Sequence, residues 1–352
     1  MTRNLLFAVV TCALFLVLMS ALVPVASAAT LFIYHRFGDT RAPSTNVSIA
    51  DFTAHLQYLH EGGFTVLPVD EIVRRTEAGE ILPEKTVGLT VDDGYVTFLT
   101  GAMPLLRQYG YPVTLFVQTE TVGHRGYLSW EQLAALAAEG VTIGNHGHQH
   151  LHFVNRTPGE TEQAWRARIR QDIESAQQLF RRQLGLTPTL LAYPYGEYSL
   201  PVRDLVRELG FAAAFSQQSG VLDRTADLFA IPRFPIGGVY ASLQRFQSLA
   251  RMQRLPVSAI TPVDPVWTAT APPVLELNLD VGAVEVRQLR CYVQGANTCT
   301  VTARADNPGS FRVVADKPLA GRRNKYTLTA PLLTGGGWAW YSHLWVMPDR
   351  PE

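Results

Sequence analysis

Apolar residues follow two alternating rhythms up to about residue 260 and a single rhythm beyond it. Short continuous apolar runs at 31–34, 64–69, 87–89, 113–117, 141–143, 190–193, 211–215 and 229–234 read as strands buried on both faces. Between them, apolar residues recur at helical spacing: Phe52, Leu56 and Leu59; Ile72 and Val73; Phe98, Met103 and Leu106; Leu133 and Leu136. A long, largely polar helical stretch spans roughly 160–184, and another helix lies near 202–209. Ser48 with Asp51, and Ser129, read as helix starts; Gly62-Gly63, Gly110 and Gly140 read as stops. Strand and helix alternate at least six times, which implies parallel βαβ units. The pattern predicts an α/β fold over 29–260, a (β/α) barrel of the TIM type, irregular or incomplete. An open doubly wound sheet is the second architecture it allows.

Pro262, Pro265, Pro272 and Pro273 mark a linker over 261–273. Past it, Leu275, Leu277 and Leu279 alternate with polar residues, as do Val284 and Val286, and Tyr326, Leu328 and Ala330. A period of two without long helical stretches predicts a small all-β sandwich over 274–352. Trp338, Trp340, Tyr341 and Trp345 could stack on sugar rings, but such aromatics more often fill a sandwich core.

The front of the chain changes the compartment. Arg3, an apolar run over 5–25 and then Ala26-Ser27-Ala28 describe a secretory signal at 1–28, so the protein is expected to be exported, periplasmic or extracellular. Formal net charge is +0 and no Lys/Arg run stands out. That argues against a nucleic-acid partner and against adhesion to an anionic membrane surface, and it favours a neutral partner. Cys291 and Cys299 flank a turn-like tip and are expected to close a hairpin as a disulfide, worth about 2–3 kcal/mol.

Candidate chemistry falls directly after strands, at His35, Asp92-Asp93, His146 and Tyr195. In both architectures the loops at strand C-termini gather into one site. Asp92-Asp93-Gly94 taken alone reads more readily as an ordinary turn than as a pair of catalytic carboxylates. His146 and His150, four apart, would share a face on a helical turn and suit a divalent cation.

Three segments carry a family resemblance: Thr90-Val91-Asp92-Asp93-Gly94, His146-Gly147-His148-Gln149-His150 and Ala192-Tyr193-Pro194-Tyr195-Gly196. In order, and each after a strand, they resemble the first three motifs of the polysaccharide deacetylases, over roughly 31–234. The resemblance implies that Asp93, His146 and His150 hold a metal, Zn²⁺ with Co²⁺ or Ni²⁺ also compatible, and that Asp92 is the general base. It implies that the Tyr195 amide faces the developing oxyanion, Pro194 having no N–H to give. Three departures are visible. Gly147 stands where the family has Ser or Thr. The arginine that usually precedes the third motif is missing, and Arg233 is the candidate replacement. The late Leu-x-His that supplies the acid has no counterpart, which leaves His35 as the candidate acid, with His124 and His148 behind it. His55 and His60 are expected to face solvent from a helix. The implied function is removal of N-acetyl groups from an acetylated amino-sugar polysaccharide. An O-acetyl esterase acting on a glycan such as xylan and a sugar-binding protein with a degenerate site are the alternatives.

Overall fold

The computed structural model describes residues 28–293, 298–305 and 307–351. The expected signal at 1–28 therefore lies, up to residue 27, outside the described residues.

The central sheet runs in the order Val221–Asp223, Ala28–Tyr34, Thr86–Val91, Thr114–Val117, Thr142–Asn145, Leu190–Ala192, Ala213–Phe215. All neighbours are parallel except the first pair. Every residue of Thr86–Val91 is buried, which is why this strand reads as an unbroken apolar run. Helices α1 (Ile49–Glu61), α2 (Val69–Glu77), α3 (Met103–Tyr109), α4 (Trp130–Ala138), α5 (Glu162–Leu184), α6 (Leu200–Glu208) and α7 (Leu243–Ala250) intervene. Ser48 and Ser129 cap α1 and α4 as expected, Ser129 within a full capping box.

The sheet curls, and its two ends are drawn together by residues 231–235. Ile231 makes a parallel bridge to Phe215, while Phe234–Pro235 pairs in parallel with Phe32 and Ile33. The strand expected at 229–234 is thus a seam of isolated pairings, because Pro232 and Pro235 have no N–H to give a ladder. The strand expected at 64–69 shrinks to Thr65–Val66, since Pro68 and Val69 begin α2.

The C-terminal part has two four-stranded sheets. One runs Val257–Thr261, Val274–Leu279, Ser310–Ala315, Cys299–Ala303; the other runs Gln253–Arg254, Trp338–Val346, Arg323–Pro331, Arg290–Val293. Leu275, Leu277 and Leu279 meet Tyr326, Leu328, Ala330 and Trp345 in one core. The Cys291–Cys299 disulfide forms as expected, but it closes no hairpin: its two strands pair in different sheets, and it ties one sheet to the other. The outer face of the second sheet is covered as well. Leu344 and Val346 join a cluster with Ile169, Tyr193, Val202 and Leu205. Trp340 packs on Phe234 and donates from Nε1 to the Ser219 carbonyl at 3.2 Å. The aromatic group therefore divides: Trp345 is core, Trp340 lies between the layers, and Trp338 is 44% exposed. Among the described residues no helix is long and apolar enough to cross a membrane.

Candidate metal centre and active site

The Thr86–Val91 strand ends where the Asp92 amide donates to the Tyr34 carbonyl at 2.9 Å. Asp93 (φ 74°) and Gly94 (φ 80°) then take left-handed conformations. In a continuing strand the two carboxylates would point to opposite faces. The left-handed turn sends both toward the same centre, at a strain cost that non-glycine residues rarely carry outside functional sites.

Asp92 is fully buried, and so is Arg233. The guanidinium grips the carboxylate in a fork, Nη1 to Oδ1 at 2.7 Å and Nη2 to Oδ2 at 2.8 Å. Its remaining donors go to the Ser216 carbonyl and the Thr90 hydroxyl, between the rings of Phe116 and Phe215. Two charges without water persist because nearly every donor and acceptor is matched. The proline-broken seam is what carries Arg233 into the barrel interior.

The histidine segment is not helical. His146 follows the Thr142–Asn145 strand, and Gly147 (φ 76°) and His150 (φ 54°) turn the loop. The imidazoles still meet, Nε2 to Nε2 at 3.2 Å, by loop geometry and not by helical spacing. The loop has its own brace. Asp172 of α5 accepts from the His148 and Gln149 amides, both at 2.9 Å, and Asn145 Oδ1 accepts from the Gly147 amide at 2.7 Å. A Cβ at Gly147 would come within 2.6 Å of Asp172 Oδ2. Glycine is therefore required twice over, by φ and by space. No hydroxyl could be added here without displacing the carboxylate brace.

Asp93 Oδ1 lies 3.4 Å from Nε2 of both His146 and His150, and the three donor atoms fall within 4.8 Å of one another. His146 Nδ1 donates to the Ala192 carbonyl at 2.8 Å, so in the neutral ring it is Nε2 that carries the lone pair. Burial opposes the charge on Asp93, but contacts with His146 and His150 outweigh it and hold the carboxyl well below its usual range. Burial pushes His150 down, toward the neutral imidazole. One ionised carboxylate and converging imidazole lone pairs suit a divalent cation, with side chains close enough to need little movement.

Tyr195 sits in the short 3-10 turn Pro194–Gly196 at φ 59°. Its ring stacks on His152 (3.8 Å, 9°) and meets His150 edge-on at 4.3 Å. Two residues on, Glu197 is fully buried and accepts from His152 Nδ1, Arg322 and Arg323.

Residues 79–214 match the family described as polysaccharide deacetylase. Over 203 residues the chain is 26% identical to YxkH of Bacillus subtilis, which is named among the polysaccharide deacetylases, covering 58% of this chain and 69% of that protein. It is 26% identical over 269 residues to the poly-β-1,6-N-acetyl-D-glucosamine N-deacetylase of Escherichia coli, covering 66% of this chain and 40% of that enzyme. Residues 79–214 form a polysaccharide deacetylase domain. A deacetylase domain is hydrolytic, removing acetyl groups. Streptococcus pyogenes deacetylase PplD, solved in complex with acetate, shares the fold of this chain with a TM-score of 0.57 at 20% identity, over 64% of this chain and 99% of that one.

The other candidate histidines of the chain scatter. His35 lines the same cleft as Asp93, His150 and Tyr195. His124 is exposed on its loop. His148 is tied to Thr119 Oγ1 through Nδ1 at 2.9 Å. His55, expected at the surface, is fully buried. Its Nε2 meets the Ala241 carbonyl at 2.9 Å and its ring stacks on Phe246, because α7 folds back over that face of α1. His60 is exposed as expected. Glu197, Asp172, Arg322 and Arg323 escaped sequence reasoning. The two arginines lie more than a hundred residues from the motifs and left no local signal.

Proposed function

We propose that this deacetylase is an exported, metal-dependent enzyme that hydrolyses N-acetyl groups of an amino-sugar polymer. The observation that carries the reading is the convergence of Asp93, His146 and His150 beside a non-ligating carboxylate, Asp92, held by a buried arginine. Zn²⁺, Co²⁺ and Ni²⁺ all accept one carboxylate and two imidazoles. When bound, the cation supplies a Lewis acid that polarises the acetamide carbonyl and acidifies water.

The chain's own residues do the rest. Asp92, with Oδ2 4.0 Å from His146 Nε2, takes the proton of the attacking water. Arg233 fixes its rotamer. The Tyr195 amide donates to the developing oxyanion, on a turn already strained into place. As the C–N bond breaks, His35 gives a proton to the departing amine, and acetate and the free amino sugar result. The relatives named above favour N-acetyl over O-acetyl substrates, and an intact ligand trio with a buttressed base speaks against a degenerate binding site.

Acetate release from β-linked N-acetylglucosamine oligomers and from acetylated xylan, with and without chelator, tests the reading. Chelator-sensitive release from the amino-sugar oligomers is expected, and Asp93→Asn should lose bound zinc. Release from xylan alone, or from neither polymer with zinc bound, would overturn it.

A further inference from the structure

The cleft that opens at Asp93 and His150 has a volume of about 1580 Å³ and runs on along the second sheet of the C-terminal part. Strand alternation explains its far wall. Along Arg323–Pro331, Tyr326 and Leu328 point into the sandwich core, while Lys325, Thr327 and Thr329 line the cleft. The helix α7 contributes Arg245 to the same lining.

Charge is not spread evenly over these walls. The acids lining the cleft are Asp93 and Glu120, and the Glu120 amide bonds to the His148 carbonyl, so both belong to the histidine end. Arg322 and Arg323, also in the wall, are answered by Glu197. Arg245 and Lys325 have no such answer: no carboxylate of the described residues pairs with either. Arg245 Nε is buried without a hydrogen-bond partner, and its guanidinium lies 4.9 Å over the Tyr240 ring. Burial, together with the charges of Arg245 and Arg323, pulls Lys325 down to about 8. Two neighbouring, partly desolvated cations without a counter-charge destabilise a fold unless a ligand compensates them. A net charge of zero conceals this local excess.

We propose that Arg245 and Lys325 form an anion subsite of the glycan cleft, which takes a carboxylate or phosphate group borne by the polymer at a distance from the acetyl group being removed. The proposal refines the neutral partner expected from composition, and it rests on the reading of the cleft as a glycan site.

Calorimetric titration of the whole zinc-loaded chain at low salt tests it with two hexasaccharides. One alternates N-acetylglucosamine with glucuronate, and the other is the neutral β-linked N-acetylglucosamine hexamer. The charged hexamer is expected to bind at least about tenfold more tightly, with the advantage shrinking at high salt. Arg245→Gln/Lys325→Gln should abolish that advantage, and Lys325→Met alone should reduce it. Inorganic phosphate separates the sources. Competition only at millimolar levels supports a polymer-borne anion, whereas micromolar phosphate binding would make this a free-anion site and overturn the assignment. Equal affinities for the two hexamers, or an advantage that survives the double substitution, would also overturn it. Acetate release from the neutral hexamer, measured in parallel, keeps the two readings apart. Release without a charge preference removes the subsite alone, and a charge preference without release removes the deacetylase reading alone.

Discussion

Arg322, at the entry to a strand of the C-terminal part, donates to both carboxylate oxygens of Glu197, Nε to Oε1 at 2.7 Å and Nη2 to Oε2 at 2.8 Å. Glu197 lies two residues beyond Tyr195, so a residue from the β part holds the loop that carries the proposed oxyanion donor. Burial would raise the Glu197 carboxyl, but contacts with His152 and Arg322 outweigh it and bring it to about 2. Arg322→Met leaves that buried charge short of its main partner. We expect a loss of about 3–5 kcal/mol in denaturant unfolding. Arg322→Met/Glu197→Gln should recover part of it, and a double variant no more stable than the single one would show that the pair contributes nothing.

The brace on the histidine loop gives the second prediction. Gly147→Ser brings the chain closer to the family pattern, yet it places a Cβ against Asp172 Oδ2 at a left-handed φ. It should destabilise by about 1–3 kcal/mol and weaken zinc binding. Unchanged or tighter zinc affinity, read by competition with a chromogenic chelator, would contradict it.

Asp92 and His35 are separable by their kinetics. Asp92→Asn should lower kcat by about 10²–10⁴-fold with zinc still bound. His35→Ala should slow turnover at unchanged metal content. Wild-type rates in the His35 variant would exclude it as the acid, and loss of zinc in the Asp92 variant would make that residue a ligand.

Two buried histidines set a pH dependence of stability. Burial lowers His55 to about 4 and His343 to about 3, against an ordinary value of 6.5. The unfolded chain binds protons first, so stability is full above pH 6.5 and falls as pH drops toward those values. Each histidine costs about 1.4 kcal/mol per pH unit across its window. Thermal midpoints from pH 7 to pH 5 should therefore decline, and less steeply in His55→Gln; a flat profile would refute this.

Much of the fold was legible because burial on both faces writes itself as continuous apolar runs, and because serine caps and glycine stops sit where helices begin and end. The site was legible for a different reason. The proposed ligands follow strand ends, where a parallel sheet must gather them. What escaped was non-local. The His146-His150 spacing suggested a helix, but Asp172 and Asn145 stabilise a loop instead. His55 looked solvent-facing until α7 closed over it. Glu197 needed Arg322 to become meaningful, and nothing near either residue announces the other.

The Trp338–Val346 strand sends Trp345 into the sandwich and Leu344 and Val346 into the cluster around Tyr193. A structural element embedded in two hydrophobic interiors cannot be detached from one without wetting the other. The catalytic and C-terminal halves should accordingly melt in one cooperative transition, and a chain cut at residue 260 should be insoluble or partly unfolded. The β half is then not an appendage but a part of the enzyme's folding unit.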